Sequence, residues 1–399
     1  MSIITDIYSP NQNLYLYKAN IRYVLNNETI EIDPLNIKSI LIDYDYSALN
    51  MPMIFVTLNI SQELLDVMIE NQNAGTILFD MNRSVGNSDV PELFTRYISD
   101  EFLYFVTEGD NDKLDETQTH QVTTTIGLLS LNCINSNKKS VSGVVSCNQI
   151  TMLYYLLSHM PVVIEPPRSN KVIENMILPP VNSIAKMLQY LNSVNTFYTT
   201  QYRFFIDFDC TYLLSSSGKA VLKDTDKINT ILFVLKNEYD DDGKTIGMKI
   251  DSSKSIYEIF IDEDDYEISD DHISEKSFSK VLAANASGEV FKKDVYTSEE
   301  SVLVNTKYKS IRLMNDNNTL LDNFTSSIKS SSIQFLIERE YIDSSVITPN
   351  KEYIIRGDEV YNSEVYDGRY LLTRKRDVFV RDSDTFISST MMMLSKVSE

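Results

Sequence analysis

The stretch Met53-Ile-Phe-Val-Thr-Leu-Asn-Ile60 carries the reading of the fold. Ile54, Val56, Leu58 and Ile60 point one way and Thr57 and Asn59 the other, the period of a β-strand with one buried face. Ser61 follows as an N-cap. Glu63 sits in the first helical turn, Leu64, Leu65 and Met68 form an apolar stripe, and Gly75 is the expected stop. On the N-terminal side, Leu14 to Tyr17 and Ile21 to Leu25 read as strands with Asn26-Asn27 as a turn. Ile37 to Tyr46 reads as another, with Ile40, Ile42, Tyr44 and Tyr46 on one face. On the C-terminal side, Thr76 to Met81 and Phe102 to Val106 are extended. These strands and one helix close near the acidic loop Glu108 to Glu116.

The next region mixes types. Thr123 to Ile134 reads as a strand pair and Val141 to Ser146 as a strand. Asn148 caps a helix running through Ser158, which Pro161 ends. Pro166-Pro167 marks a turn. Pro179-Pro180 precedes a helix with Asn182 as N-cap and Ile184, Leu188, Leu191 and Val194 at helical spacing. Tyr202 to Leu214 reads as one strand, with Phe204, Ile206, Phe208 and Cys210 on one face and Phe205, Asp207 and Asp209 on the other. Beyond it the chain is β-rich again: Lys227–Asn237, Ile256–Ile261, Ile333–Tyr341, Glu352–Arg356, Tyr370–Lys375 and Asp377–Arg381. The segment from Ser383 to Glu399 reads as a helix or tail.

A length of 399 residues suggests two or three domains. A hydrophobic share of 43% fits a globular chain, and few glycines (11) and prolines (10) exclude collagen-like or linker-like sequences. The net charge of −21 argues against a protein that grips nucleic acid by neutralising phosphates. Cys133, Cys147 and Cys210 form no CxxC and no disulfide or zinc framework. They read as small buried residues of a protein folded in a reducing compartment. Met1 to Tyr8 carries neither a basic nor an apolar signal region, so no signal peptide is expected. Ser140 to Ile164 holds no Asp, Glu, Lys or Arg, but its continuous apolar part is only Met152 to Leu157. A buried strand followed by a buried helix is expected there, not a membrane span.

Catalytic motifs are missing. The glycine spacing excludes GxGxxG and the Walker A loop, and no GxSxG, HExxH or EF-hand loop occurs. His120, His159 and His272 are far apart in sequence; His159 reads as a buried helix-end residue and the other two as solvated. Asp207 and Asp209 have a spacing that could hold a metal or supply an acid/base pair, against the plainer reading of a polar face packed on a neighbouring domain or an Arg. Between Glu238 and Asp271 there are thirteen acidic residues and three lysines. Its runs Asp240 to Asp242 and Asp262 to Asp265 lack the pattern of a calcium loop and read as solvated. Arg374-Lys375-Arg376, interleaved with Asp367, Asp377 and Asp382, reads as an ion-pair-rich face. The tyrosines at 44, 46, 361, 366 and 370 suit large permanent interfaces as well as a core. No catalytic, cofactor-binding or metal-ligating residue is assigned.

Two segments are more specific. The first is Leu178-Pro-Pro-Val-Asn-Ser-Ile-Ala-Lys-Met-Leu-Gln-Tyr-Leu-Asn192, continuing through Tyr202-Arg-Phe-Phe-Ile-Asp-Phe-Asp-Cys-Thr-Tyr-Leu-Leu214 to Gly218. The second is Thr348-Pro-Asn-Lys-Glu-Tyr353 with Tyr366-Asp-Gly-Arg-Tyr-Leu-Leu-Thr-Arg-Lys375 and Phe386-Ile-Ser-Ser. Together they resemble the central baseplate hub of contractile-tailed bacteriophages, a family related to the N-terminal part of type VI secretion spike proteins. The resemblance covers the whole chain in layout and about a quarter of it in recognisable pattern.

It implies a mainly β, α+β fold. Residues 1–115 would form a first tube-type β-barrel domain and 116–218 an α+β middle domain. Residues 219–385 would form a second tube-type barrel with an acidic insertion at about 238–340, and 386–399 a tail. It further implies a non-enzymatic homotrimer. Its ring, with pseudo-sixfold symmetry, would join the tail tube or a tube-initiator protein to the central spike and contact other baseplate proteins. It would let genomic DNA pass without specific binding. No cofactor and no membrane insertion are implied; the location is the virion tail baseplate, assembled in the host bacterial cytoplasm. The alternatives are a peripheral baseplate or receptor-binding protein, and a hydrolase using Asp207/Asp209.

Overall fold

The computed structural model describes residues 5–8, 15–46, 51–85, 94–107, 121–138, 141–158, 161–167, 170–195, 202–215, 228–235, 248–251, 256–261, 263–269, 279–285, 290–295, 313–314, 333–340, 342–357 and 366–397. The fold is mainly β with a mixed α/β centre, as expected. The N-terminal region contains β1 (Thr5–Tyr8), β2 (Tyr15–Leu25), β3 (Glu28–Ile32), β4 (Ile37–Asp45), β5 (Met53–Ser61), α1 (Gln62–Glu70), β6 (Thr76–Val85), β7 (Thr95–Val106) and β8 (Gln121–Ser130). In β5 the alternation holds: Ile54, Val56, Leu58 and Ile60 are buried. The Ser61 hydroxyl accepts from the Leu64 N–H at 3.2 Å and caps α1. The helix ends at Glu70, before Gly75: Asn71 is the C-cap, and its side chain donates to the Val67 carbonyl beside the last helical N–H. Asn26 and Asn27 both have positive φ, 51° and 68°, as the turn of a two-residue β2–β3 hairpin requires.

The middle region contains α2 (Leu131–Asn137), β9 (Val141–Asn148), α3 (Gln149–Leu157), β10 (Val162–Ile164), β11 (Val172–Val181), α4 (Ile184–Asn195), β12 (Tyr202–Ile206) and β13 (Thr211–Ser215). Asn148 caps α3 by accepting from the Thr151 N–H. Two local expectations are corrected. Pro179 and Pro180 lie within β11, and Ser183 rather than Asn182 accepts from the Lys186 N–H at the start of α4. The run from Tyr202 to Leu214 is a hairpin, not a single strand: the chain reverses over Asp207–Cys210, closed by the Asp207 N–H to the Cys210 carbonyl at 2.8 Å. This hairpin is apolar on both faces because it lies between two cores. Phe204, Ile206 and Leu213 face the middle core, whereas Phe205, Tyr212 and Leu214 join the main one.

The last region supplies β14 (Thr230–Leu235), β15 (Met248–Asp251), β16 (Ile256–Ile261), β17 (Tyr266–Ser269), β18 (Ser279–Asn285), β19 (Val290–Val295), β20 (Leu313–Met314), β21 (Gln334–Glu340), β22 (Glu352–Gly357), β23 (Gly368–Asp382) and β24 (Thr385–Lys396). Residues 386–399, expected as a tail or helix, thus contain most of a long strand. Residues 370–381, expected as two strands, form one continuous strand with a bulge. The bulge at Thr373 switches the inward parity. Tyr370 and Leu372 are buried before it, and Lys375, Asp377 and Phe379 after it.

The β23–β24 hairpin organises the molecule. Its outer half pairs with β4 over 374–380 and meets β2 at Phe386↔Tyr17. This closes the antiparallel ring β2–β6–β7–β8–β5–β4–β23–β24. Its inner half pairs with β22 through 368–370 and with β21 through 389–395. It therefore carries the sheet onward to β14, β16 and β15 on one side and β17 on the other. In the opposite sense, β1 leaves the N-terminal region to pair with β15. The two β-units are interlocked by a strand from each end of the chain. In chain order, β8 falls within the expected middle domain and β24 within the expected tail, but both are members of the closed ring. Ring closure depends on partners distant in sequence, which a linear reading does not see.

Candidate site at the junction of the three units

Asp377 is the centre of a buried polar cluster on the inward face of β23. Its side chain is fully covered, and Lys375 is 4% exposed. Lys375 Nζ lies 3.3 Å from Asp377 Oδ2. It also donates to the Ser344 carbonyl and hydroxyl at 3.1 Å each, and sits 4.2 Å from the centroid of the Tyr44 ring. The Ser344 hydroxyl donates to Asp377 Oδ2 at 2.6 Å, and Thr390 donates to Oδ1 at 2.9 Å. A buried ion pair with its remaining lone pairs filled is tolerated, whereas a half-filled one is not. The cluster ties the outer hairpin half to residue 344 of the last region.

The flanking residues of β23 face out. Arg374 donates to both Asp43 oxygens, at 3.0 and 2.5 Å, and Arg376 Nη2 lies 3.5 Å from the same carboxylate. Burial alone would raise the Asp43 pKa. The Arg374 hydrogen bonds and the charges of Arg374 and Arg376 outweigh it and hold the carboxyl below its usual range. Only the two arginines form an ion-pair face, with Asp43 across the sheet, whereas Lys375 between them turns inward to Asp377.

Asp207 and Asp209 do not form a pair on one strand face. Both sit in the β12–β13 turn, where Asp209 is exposed and Asp207 is part-buried. Asp207 Oδ1 accepts from the Phe208 N–H at 2.8 Å, an Asx-type turn. Burial pushes its carboxyl up to about 6, opposed by the charge of Lys375 and the Phe208 N–H. Asp207 is engaged by the backbone of its own turn while Asp209 is exposed, so the two carboxyls do not share one face as an acid/base pair would.

The native pKa of Asp207 lies above the unfolded value of about 3.9. The folded state therefore binds the extra proton, and stability falls as pH rises from about 4 to about 6. Asp207→Asn should gain on the wild type by up to about 3 kcal/mol across that window and hold the gain above it. Urea midpoints of both proteins at several pH values measure the gap; a gap that is flat with pH contradicts the assignment.

A second junction pairs the middle unit with the last region. Glu165 Oε2 accepts from the Ser215 N–H at 2.7 Å, and Arg203 donates to the Leu372 carbonyl at 2.8 Å. Burial raises Glu165 and lowers Arg203 to about 10, and each one's charge partly offsets the other's shift. These two residues line a small cavity with Lys351, Glu352, Arg369 and Tyr370.

Other expected residues fall elsewhere. His120, His159, His272 and Asp240 to Asp242 lie outside the described residues. Of the second acidic run, Asp265 is engaged by Arg339, which donates to both its oxygens at 2.7 and 2.6 Å. Among the described residues no group of three or more His, Cys, Asp or Glu could hold a metal, and no helix is long and apolar enough to cross a membrane. All three cysteines are free; Cys133 is buried, and Cys147 and Cys210 are only partly covered. Tyr44, Tyr46 and Tyr370 are 4%, 2% and 2% exposed, so they belong to the core and are unavailable to a partner. Tyr361 lies outside the described residues.

No family model matches the sequence, and no curated protein matches it. Solved structures do match. A tail protein from Neisseria meningitidis is 10% identical, with 95% of this chain and 96% of that one covered at a TM-score of 0.50. The 43 kDa tail protein of prophage MuSo2 from Shewanella oneidensis is 11% identical, with 94% and 98% covered at 0.49. A chain of a Francisella PdpA–VgrG complex is 13% identical, with 96% of this chain and 53% of that one covered at 0.45. The first of these establishes a shared fold along nearly the whole chain.

Proposed function

We propose that the chain is a structural hub of a contractile phage-tail baseplate, with no catalytic role. The observation that carries this reading is the fold held in common, nearly end to end, with a protein described as a tail protein. The interlocked β-units support it, because a collar under mechanical force gains from units that cannot swing apart. In this reading the closed ring and the sheet of the last region each supply a tube-type unit, joined by the shared β23–β24 hairpin, and the chain between β8 and β14 supplies the middle unit. Three copies make a ring with pseudo-sixfold symmetry, between a tail tube of six-fold symmetry and a spike of three-fold symmetry. Other baseplate proteins contact its outside. With a net charge of −21, an acidic lumen would repel phosphates and let DNA pass without sticking.

The separation of the two aspartates, Asp207 part-buried in its own turn and Asp209 exposed, argues against the hydrolase reading. Low-resolution electron microscopy of the purified protein tests the hub against the receptor-binding alternative. A three-fold particle with an open centre is expected; a solid trimer with projecting tips contradicts it.

A further inference from the structure

The β23–β24 hairpin serves both β-units, and β23 passes from one to the other at a single point. Along one edge β24 stays beside it from Tyr370 to Asp382, interrupted only by the bulge. Along the other edge the partner changes: residues 368–370 pair with β22, and residues 374–380 pair with β4. Leu371, Leu372 and Thr373 lie between, with no strand beside them on that edge among the described residues. The bulge falls in the same place, and a bulge is where a strand bends. The ladder on this edge therefore does not set the angle at which the closed ring and the sheet of the last region diverge. The ties from Arg83 to Asp343 and from Lys375 to Ser344 join the two units elsewhere and do not reach this gap.

Carbonyls in the gap are taken up from two sides, as buried backbone groups must be. The Tyr46 N–H, just past the end of β4, donates to the Thr373 carbonyl at 3.0 Å. Arg203, on β12 of the middle unit, donates through Nη1 to the Leu372 carbonyl at 2.8 Å. Its Nη2 lies 3.5 Å from the carbonyl of Pro349, in the turn that leads into β22. One guanidinium thus meets both the gap in β23 and the approach to β22. Its donors lie in a rigid plane, so acceptors bound to two of them are kept at a fixed spacing, which a flexible ammonium does not do. Phe205, two residues on and on the same strand face, packs edge-on against Tyr46 with ring centroids 4.7 Å apart. The same strand of the middle unit therefore holds both groups that fill the gap. We propose that Arg203 is a positioning residue: the middle unit inserts it where the hairpin divides and so fixes the angle between the two β-units. This device works within one copy and does not rest on the homotrimer reading.

Hydrogen exchange on the full chain, read by mass spectrometry, tests it. The Tyr46 N–H is the reporter, because its partner is the carbonyl next to the one that Arg203 holds. Arg203→Met alone would leave Glu165 without the charge that offsets its burial. The comparison is therefore made in Glu165→Gln, whose amide oxygen still accepts from the Ser215 N–H. Glu165→Gln alone should exchange like the wild type. Adding Arg203→Met should speed exchange at Tyr46 and at 371–373 about tenfold or more, the effect of losing a hydrogen bond from a charged donor. Strand β5 in the ring and β14 in the last region should keep their protection. Arg203→Lys in the same background should fall between the two, and it takes the place of the methionine variant if that one does not fold. Unchanged exchange at Tyr46 overturns the proposal. So does an equal loss of protection across β5 and β14, which would make Arg203 a support of stability as a whole. A full increase in Glu165→Gln alone also overturns it, because Arg203 would then serve only as a counter-ion.

Discussion

Removing residues 384–399 is expected to abolish cooperative folding. These residues contain β24, which closes the eight-stranded ring and joins it to the rest of the sheet. Phe386, Met392 and Leu394 are each no more than 1% exposed. Fully burying such side chains contributes about 1.5–3 kcal/mol each. Their sum is comparable with the whole stability of a domain, about 5–15 kcal/mol. Loss of the strand also strips the edges of β2, β21 and β23 of their partner and exposes templates for aggregation. The truncated chain should show no sharp urea transition and should lose the near-ultraviolet signal of its packed tyrosines. A sharp transition with wild-type slope would mean that the barrel closes without this strand.

Lys375→Met should cost about 3–5 kcal/mol, the loss typical of a buried ion pair stripped of one partner. The methionine fills the space over Tyr44 but leaves the Asp377 carboxylate with only the Ser344 and Thr390 hydroxyls. Adding Asp377→Asn should recover part of the loss: the amide oxygen still accepts one of the two hydroxyl bonds, the other hydroxyl can turn to accept from the amide NH2, and no charge is left to desolvate. The urea midpoint reports both variants, provided that the slope is unchanged. A loss below about 1 kcal/mol would place Lys375 among the weakly coupled surface pairs.

Local chemistry was legible wherever a residue acts on its neighbours. The alternation of Ile54 to Ile60, the caps at Ser61 and Asn148, and the Asn26-Asn27 turn all appear as read. The break at Asp207–Cys210 was legible in principle, since an Asp in front of a backbone N–H is a turn signal, but the apolar residues on either side masked it. The tyrosines at 44 and 46 show the limit of composition: the same residue type suits an interface and a core, and only the closing of the ring over them decides. Lys375 was hidden by Arg374 and Arg376 on either side. Period two would have set it beside Asp377 and Phe379 on one face. The bulge at Thr373, which determines that this face is the inner one, leaves no mark in a single sequence. The role of β24 was not legible at all, because its partners lie as far back as Tyr17.

Sedimentation of the purified chain in solution decides between a ring subunit and a self-sufficient monomer. A single species at three times 45.7 kDa, stable to dilution, is expected. A homogeneous, well-folded species at 45.7 kDa at every concentration would contradict it.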